Sequence, residues 1–268
     1  MIHPLQALLL GAVEGLTEFL PVSSTGHLIL AGRLLGLHGA SVTTFEIVIQ
    51  AGAVGAIVVL YRSRLASCWR GLQGHDPSGR RLLINLLVTC LPAAVAGLLL
   101  HRAITAYLFE TWPVIAALAV GGIVMIGVGR RCDARPPSKT LDTLMPADAL
   151  LIGCAQALSL WPGTSRAMVT ILAGLLCGLS GRDAAAYSFL AAVPTLGAAT
   201  LFEAYHGGGL LLRDVPASSL ACGFGAAAVV AILAVRGFIK SLPRLGFAPF
   251  GWYRVGVAAA VWWAVAGR

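Results

Sequence analysis

The chain runs to 268 residues, of which 58% are hydrophobic and only 11% charged, with a mean hydropathy of +0.85. Soluble domains carry roughly 25% charged residues, so this composition excludes an ordinary soluble protein. The formal charge of +8 sits in short segments between apolar runs, which reads as membrane topology rather than nucleic-acid binding.

Residues 4–20 are helix-like, carry Glu14 and Glu18, and stop at Pro21. Residues 24–37 form a second short apolar stretch, ended by Gly36 and His38-Gly39. Neither reaches the ~20 residues needed to cross a bilayer, so the pair is expected as a re-entrant helix–loop–helix. Full-length spans are expected at 43–61, 82–101, 112–129, 183–203, 216–235 and 248–266. Between the third and fourth, residues 146–179 form another broken pair, interrupted at Trp161-Pro162-Gly163. The N-terminal stretch lacks the basic segment of a cleavable signal and is read as part of the mature protein. Cys68, Cys90, Cys132, Cys154, Cys177 and Cys222 are scattered without CxxC spacing, which suits packing rather than zinc or disulfides.

Loop charge orients these spans. Residues 62–81 hold five arginines against Asp76, and residues 130–142 hold Arg130, Arg131, Arg135 and Lys139 against two aspartates. Residues 236–244 hold Arg236, Lys240 and Arg244. The other connections are short or balanced, as with Arg102 and Glu110, or Glu203 with Arg213 and Asp214. Basic and balanced loops alternate, which places the basic ones in the cytoplasm and both termini outside.

The two halves match. Pro21-Val22-Ser23-Ser24-Thr25 aligns with Pro162-Gly163-Thr164-Ser165-Arg166, 141 residues on (21 to 162). Thr44-Phe45-Glu46 falls near Ser188-Phe189-Leu190. Each half is one broken pair and three spans, and an odd span number turns the second copy upside down. The expected fold is therefore an all-α polytopic membrane protein with an inverted-topology repeat, six transmembrane helices and two re-entrant hairpins. It forms a single integral-membrane domain: repeat one at 1–130, repeat two at 146–268, joined by a cytoplasmic loop at 131–145. Such folds bind substrate near the midplane, with half-helix N-termini aimed at anions, so the two broken stretches are expected to face each other.

Ionisable residues inside apolar sequence mark function by default. Glu14 and Glu18 share one helix face, and two carboxylates there call for a proton or a cation between them. Ser23, Ser24, Thr25 and Gly26 open the second half-helix, where hydroxyls cap and first-turn N–H groups can hold a phosphate. His27 lies one turn from Ser24 and suits a base, an acid or a nucleophile. Arg166 suits bidentate phosphate binding, or an ion pair with Glu14 or Glu18. Thr164, Ser165 and Thr170 add phosphate contacts or simply cap and back-bond. Glu46 lines the same cavity or an interface, and Arg254, early in the last span, is placed at an interface with no catalytic role.

EGLTEFLPVSSTGH at 14–27, FEIVIQAG at 45–52 and WPGTSR at 161–166 resemble the undecaprenyl-diphosphatase, or bacitracin-resistance, family over essentially the whole chain. The resemblance implies a multi-pass enzyme of the bacterial inner membrane. It would hydrolyse undecaprenyl diphosphate to undecaprenyl phosphate and phosphate, recycling the lipid carrier of cell-wall synthesis. By that similarity Glu14, Glu18, Ser23, Ser24, His27 and Arg166 take the family's functional positions, with Mg²⁺ or Ca²⁺ as the divalent cation held at Glu14 and Glu18. Ala167 stands where relatives commonly carry a hydroxyl. Ser24 is the favoured nucleophile with His27 as base, against His27 itself or an activated water. The site is expected to open to the periplasmic face, with a polyprenyl diphosphate as lipid substrate, membrane lipid around it and no obligate protein partner. Two rivals are weighed. An acid-phosphatase-like membrane enzyme needs a histidine where Leu172 stands; a polyprenyl-phosphate transporter or flippase shares the architecture but needs no hydrolytic residues.

Overall fold

The computed structural model describes residues 2–108, 111–133 and 136–266. The loop charges expected at Glu110 and Arg135, and the Arg102 and Asp133 side chains, fall outside what is described. Among the described residues the fold is helical throughout: α1 (Pro4–Thr17), α2 (Ser24–Leu34), α3 (Ala40–Leu60), α4 (Arg62–Leu72), α5 (Pro77–Tyr107), α6 (Thr111–Asp133), α7 (Pro146–Ala157), α8 (Arg166–Leu176), α9 (Gly181–Asp214), α10 (Ala217–Leu245) and α11 (Ala248–Ala266). A 3₁₀ turn at Leu158–Leu160 follows α7.

Five helices are long and apolar enough to cross a bilayer: α3, α5 as far as Leu100, α6 as far as Cys132, α9 and α10. The sixth expected span forms as α11, at its expected place, but its arginine, tyrosine and tryptophans keep it outside that set. Several helices outrun their apolar windows. Pro92 and Pro194 are carried inside α5 and α9 without ending them.

The 62–81 segment is more than a loop. It contains α4, and Asp76 caps α5 by accepting the Gly79 N–H at 2.9 Å and the Ser67 hydroxyl at 2.6 Å. A Cβ at Gly79 would lie 2.0 Å from Ser67 O, so only glycine lets α4 turn this tightly onto α5. The Ser67 hydroxyl, followed by the Gly79 N–H, holds the Asp76 carboxyl below its usual range.

The chain divides into two compact units. The first gathers α1–α3 with most of α9 and α10; Ala7, Leu10, Leu28, Phe45, Ile49 and Leu211 form its core. Its α1 reads Gly11-Ala12-Val13-Glu14-Gly15, a small-xxx-small pattern that lets helix backbones approach. A Cβ at Gly11 would lie 2.2 Å from Gly223 O, and one at Gly15 would lie 2.4 Å from Ala227 O. α1 is thus seated directly on the α10 backbone, with Glu14 between the two glycines.

The second unit gathers α4–α8, the start of α9, the end of α10 and α11, together with Pro21–Ser23. A buried polar network fixes α7 in it. Thr89 Oγ1 donates to Ala149 O at 2.9 Å and pairs with Tyr187 OH at 2.7 Å. Tyr187 OH in turn reaches Asn85 O at 3.0 Å, while Gln156 Nε2 donates to Thr89 O at 3.3 Å. Lys139 clamps Asp148 at 2.7 Å, and Asp148 also accepts the Met145 N–H as a cap.

The two broken pairs recur in backbone detail. Pro4 and Pro146 both open a helix, each capped by the side chain of its third residue, Gln6 or Asp148. Ser23 at φ 77° and Ser165 at φ 73° are the only described non-glycine residues in the left-handed region. α2 starts at Ser24 and α8 at Arg166, both 11 residues long. The matching positions are therefore 142 apart (23 to 165), one more than the proline alignment suggests. Prolines mark a turn without fixing its register; the strained serines do. In this register Glu14 matches Gln156, Glu18 matches Leu160, and Ser24 matches Arg166.

Candidate active site

The first hairpin places its residues within the first unit, apart from the buried Ser23, which is grouped with the second. Glu14 is fully buried and Glu18 is 7% exposed, one helical turn apart. Glu18 Oε2 accepts the Ser24 hydroxyl at 2.5 Å, across the turn that joins α1 to α2. This is a short charge-assisted bond of the strong kind. A hydroxyl has one hydrogen, so the Ser24 proton goes to Glu18 and not to His27. Glu18 thus joins His27 as a candidate base for Ser24. His27 is half-buried one turn into α2, Gly26 is buried, and the Thr25 side chain is exposed.

The second hairpin places the remaining residues in the second unit. Ser165 caps α8 by accepting the Met168 N–H at 3.2 Å. Arg166, the first residue of α8, donates from Nη1 to Ser188 O at 2.9 Å. Thr170 back-bonds to Arg166 O at 2.8 Å and pairs with Ser188 Oγ at 2.6 Å. Ser165 and Thr170 thus serve the hairpin's own geometry. Thr164 is half-buried, and its N–H closes the turn onto Trp161 O at 3.1 Å. The Trp161 indole donates to Pro113 O at 3.1 Å, which anchors the turn to α6.

Two further residues contribute that local spacing does not single out. Ser188, which aligns the two halves, also accepts Arg166 on its carbonyl and pairs with Thr170 through its hydroxyl; a hydroxyl inside an apolar span is the signal the sequence offers. Arg254, expected at an interface, is instead fully buried and donates to Gly163 O of the hairpin turn at 2.9 Å. Glu46 is half-buried on α3, close to α2: a Cβ at Gly32 would lie 3.5 Å from its Oε1.

Among the described residues no group of three or more His, Cys, Asp or Glu side chains would hold a metal ion by itself. The buried Glu14–Glu18 pair is a two-carboxylate donor set, which fits an ion such as Mg²⁺ that takes its remaining ligands from water and substrate phosphates. Both Glu14 oxygens are buried, while Glu18 Oε2 accepts Ser24. The buried Glu14 and Glu18 with Ser24 in the first unit, and the half-buried Arg166 in the second, are residue types that phosphoryl transfer uses, a reaction that depends on positioning and charge stabilisation.

The chain is similar to known proteins over nearly its whole length. The family model described as bacitracin resistance protein BacA matches residues 7–260. A protein named undecaprenyl-diphosphatase from Sorangium cellulosum (strain So ce56) is 51% identical, over 96% of this chain and 85% of its own length. One of the same name from Nitratidesulfovibrio vulgaris (strain Hildenborough) is 48% identical, over 97% of each chain. Another, from Nitrosomonas europaea, is 45% identical over 96% of this chain and 93% of its own.

Proposed function

The chain belongs to the bacitracin resistance protein BacA family, and from that premise we infer that it is an undecaprenyl-diphosphatase. It is a multi-pass membrane protein that removes the terminal phosphate of undecaprenyl diphosphate, leaving undecaprenyl phosphate and inorganic phosphate. Its place is the bacterial inner membrane, with six spans, two re-entrant hairpins related by inverted repeats, and a site open to the periplasmic side. The alternation of basic and balanced loops supports that orientation.

The observation that carries the mechanism is the Ser24–Glu18 hydrogen bond at 2.5 Å. Ser24 Oγ attacks the terminal phosphorus as its proton passes to Glu18. The bond from phosphorus to the bridging oxygen breaks, and undecaprenyl phosphate leaves with those electrons. Water then attacks the phosphoserine, Glu18 returns its proton to the departing Ser24 Oγ, and phosphate is released. His27 protonates the leaving oxygen and later deprotonates that water, a role suited to imidazole near neutral pH. The first-turn N–H groups of α2, with Ser23, Thr25 and Gly26, hold phosphate oxygens. Arg166 neutralises the same diphosphate; Thr164 adds a contact, while Ser165 and Thr170 keep the arginine's helix in place. A divalent cation held by Glu14 and Glu18, Mg²⁺ or Ca²⁺, would supply Lewis-acid stabilisation of the phosphate oxygens.

Protein purified in detergent and given farnesyl or undecaprenyl diphosphate with Mg²⁺ is expected to release phosphate, and Arg166→Ala to abolish release. A protein that moves polyprenyl phosphate across liposomes but releases none would be a transporter. An acid-stable phosphoenzyme is expected from Ser24; an acid-labile phosphoramidate would move the nucleophile to His27.

A further inference from the structure

We propose that Arg254 is a positioning residue for this reaction: its buried guanidinium locks the Gly163–Thr164 peptide and so aims Arg166. The inference rests on the reading of Arg166 as the phosphate-binding arginine. Arg254 lies in α11 and is fully buried. Its Nη2 donates to Gly163 O at 2.9 Å and to Ala117 O of α6 at 3.0 Å. The other end of the same peptide is also held, because the Thr164 N–H donates to Trp161 O at 3.1 Å. A peptide plane fastened at its carbonyl and its N–H cannot rotate. It follows Gly163, at φ 94°, and precedes the strained Ser165 that caps α8. The direction in which Arg166 leaves the turn follows from that plane.

The packing around Arg254 is built to admit it. A Cβ at Gly121 would lie 2.4 Å from Nη2 and 3.1 Å from the Met168 sulfur, so the paired glycines of α6 leave the guanidinium its channel. A Cβ at Gly251 would lie 2.7 Å from Gly122 O, which brings α6 and α11 together backbone to backbone just there.

Stability alone does not explain a cation in this place. Arg254 Nε and Nη1 have no hydrogen-bond partner, and no carboxylate pairs with the residue among those described. A buried charge left so poorly compensated costs free energy, and an apolar side chain of similar volume is often neutral or better. Charged groups are retained inside membranes where they serve function. Here the cation fixes a turn carbonyl and leaves a surplus positive charge in the unit that carries Arg166.

The test uses full-length protein in detergent, with farnesyl diphosphate and Mg²⁺, and measures kcat, KM and melting temperature. Arg254→Met is expected to lower kcat/KM about 10- to 100-fold, the scale of a small misplacement relayed to a reacting centre, with no fall in melting temperature. Arg254→Lys, able to hold one carbonyl, should recover part of that loss. In an Arg166→Lys background Arg254→Met should cost less than about threefold, because the two residues act through one geometry. Equal fold-losses in both backgrounds, or full activity in Arg254→Met, would overturn the proposal. If Arg254→Met does not fold, Gly121→Ala displaces Nη2 without removing the charge and is expected to show the same non-additivity; additive loss there overturns the proposal equally. Undiminished release from Arg166→Ala would instead sink the reading of Arg166, and this inference with it.

Discussion

Ser24→Ala separates a nucleophile from a hydroxyl that merely orients Glu18. The substitution removes the donor at 2.5 Å from Glu18 Oε2 and leaves a carboxylate that is 7% exposed with one hydrogen bond fewer. A hydrogen bond to a charged group is worth about 1.5–3 kcal/mol, so an orienting role predicts a fall of roughly 10- to 150-fold in kcat. A nucleophile acting as one unit with its base costs far more when removed, on the order of 10⁴-fold or beyond. Initial rates of phosphate release from farnesyl diphosphate at saturating Mg²⁺, with enzyme raised to keep slow variants measurable, span both ranges. We expect the larger loss, and Glu18→Gln to fall with it non-additively. Melting of Ser24→Ala should drop modestly, by the cost of one weakened buried acceptor, about 1–3 kcal/mol. Ser24→Ala retaining more than a tenth of wild-type kcat would refute both roles, because the 2.5 Å bond would then be irrelevant to turnover.

Glu14→Gln should leave the fold intact and raise the Mg²⁺ needed for half-maximal rate at least about tenfold, read from activity against metal concentration after chelation; an unchanged requirement would remove Glu14 from the cation site. Gly15→Val places a branched side chain where a Cβ already meets Ala227 O at 2.4 Å, so α1 must lift from α10 at a cost of about 1–3 kcal/mol, visible as a lower melting temperature. Tyr187→Phe removes one buried hydroxyl from the Thr89 network and should cost about 1 kcal/mol by the same measurement, with kcat hardly altered. Asp76 is held below its usual range, so its contribution to stability is present above about pH 4 and is lost as pH falls through its folded value; Asp76→Asn should flatten that part of the melting profile.

Much of this fold is visible in composition because a bilayer imposes a length on every span. All six apolar windows became helices, and both broken pairs broke at the predicted prolines. What composition does not mark is where a helix ends in water, and α5, α9 and α10 run past their apolar cores for that reason. α4 was hidden by charge: its arginines read as loop, while the glycine that permits the tight corner lies in α5. Among the site residues, Glu14, Glu18, Ser24 and Arg166 stood out because polar groups are costly in apolar surroundings. Their partners did not. Glu18 as the acceptor from Ser24 depends on how the turn folds back, and spacing along α2 pointed to His27 instead. Ser188 accepts Arg166 on its own carbonyl and Arg254 donates to the carbonyls of distant residues, and such contacts leave no trace in local spacing.

The matched left-handed serines separate shape from chemistry. Ser23 and Ser165 repeat one backbone conformation, while the residues after them, Ser24 and Arg166, bring a hydroxyl and a guanidinium. A homodimer built from either hairpin alone would have to present the same side chain twice, two hydroxyls or two guanidiniums. Joining both copies in one chain lifts that restriction, since each can change without altering the other. One backbone turn thus carries two different side-chain chemistries within this chain, which two identical copies could not do.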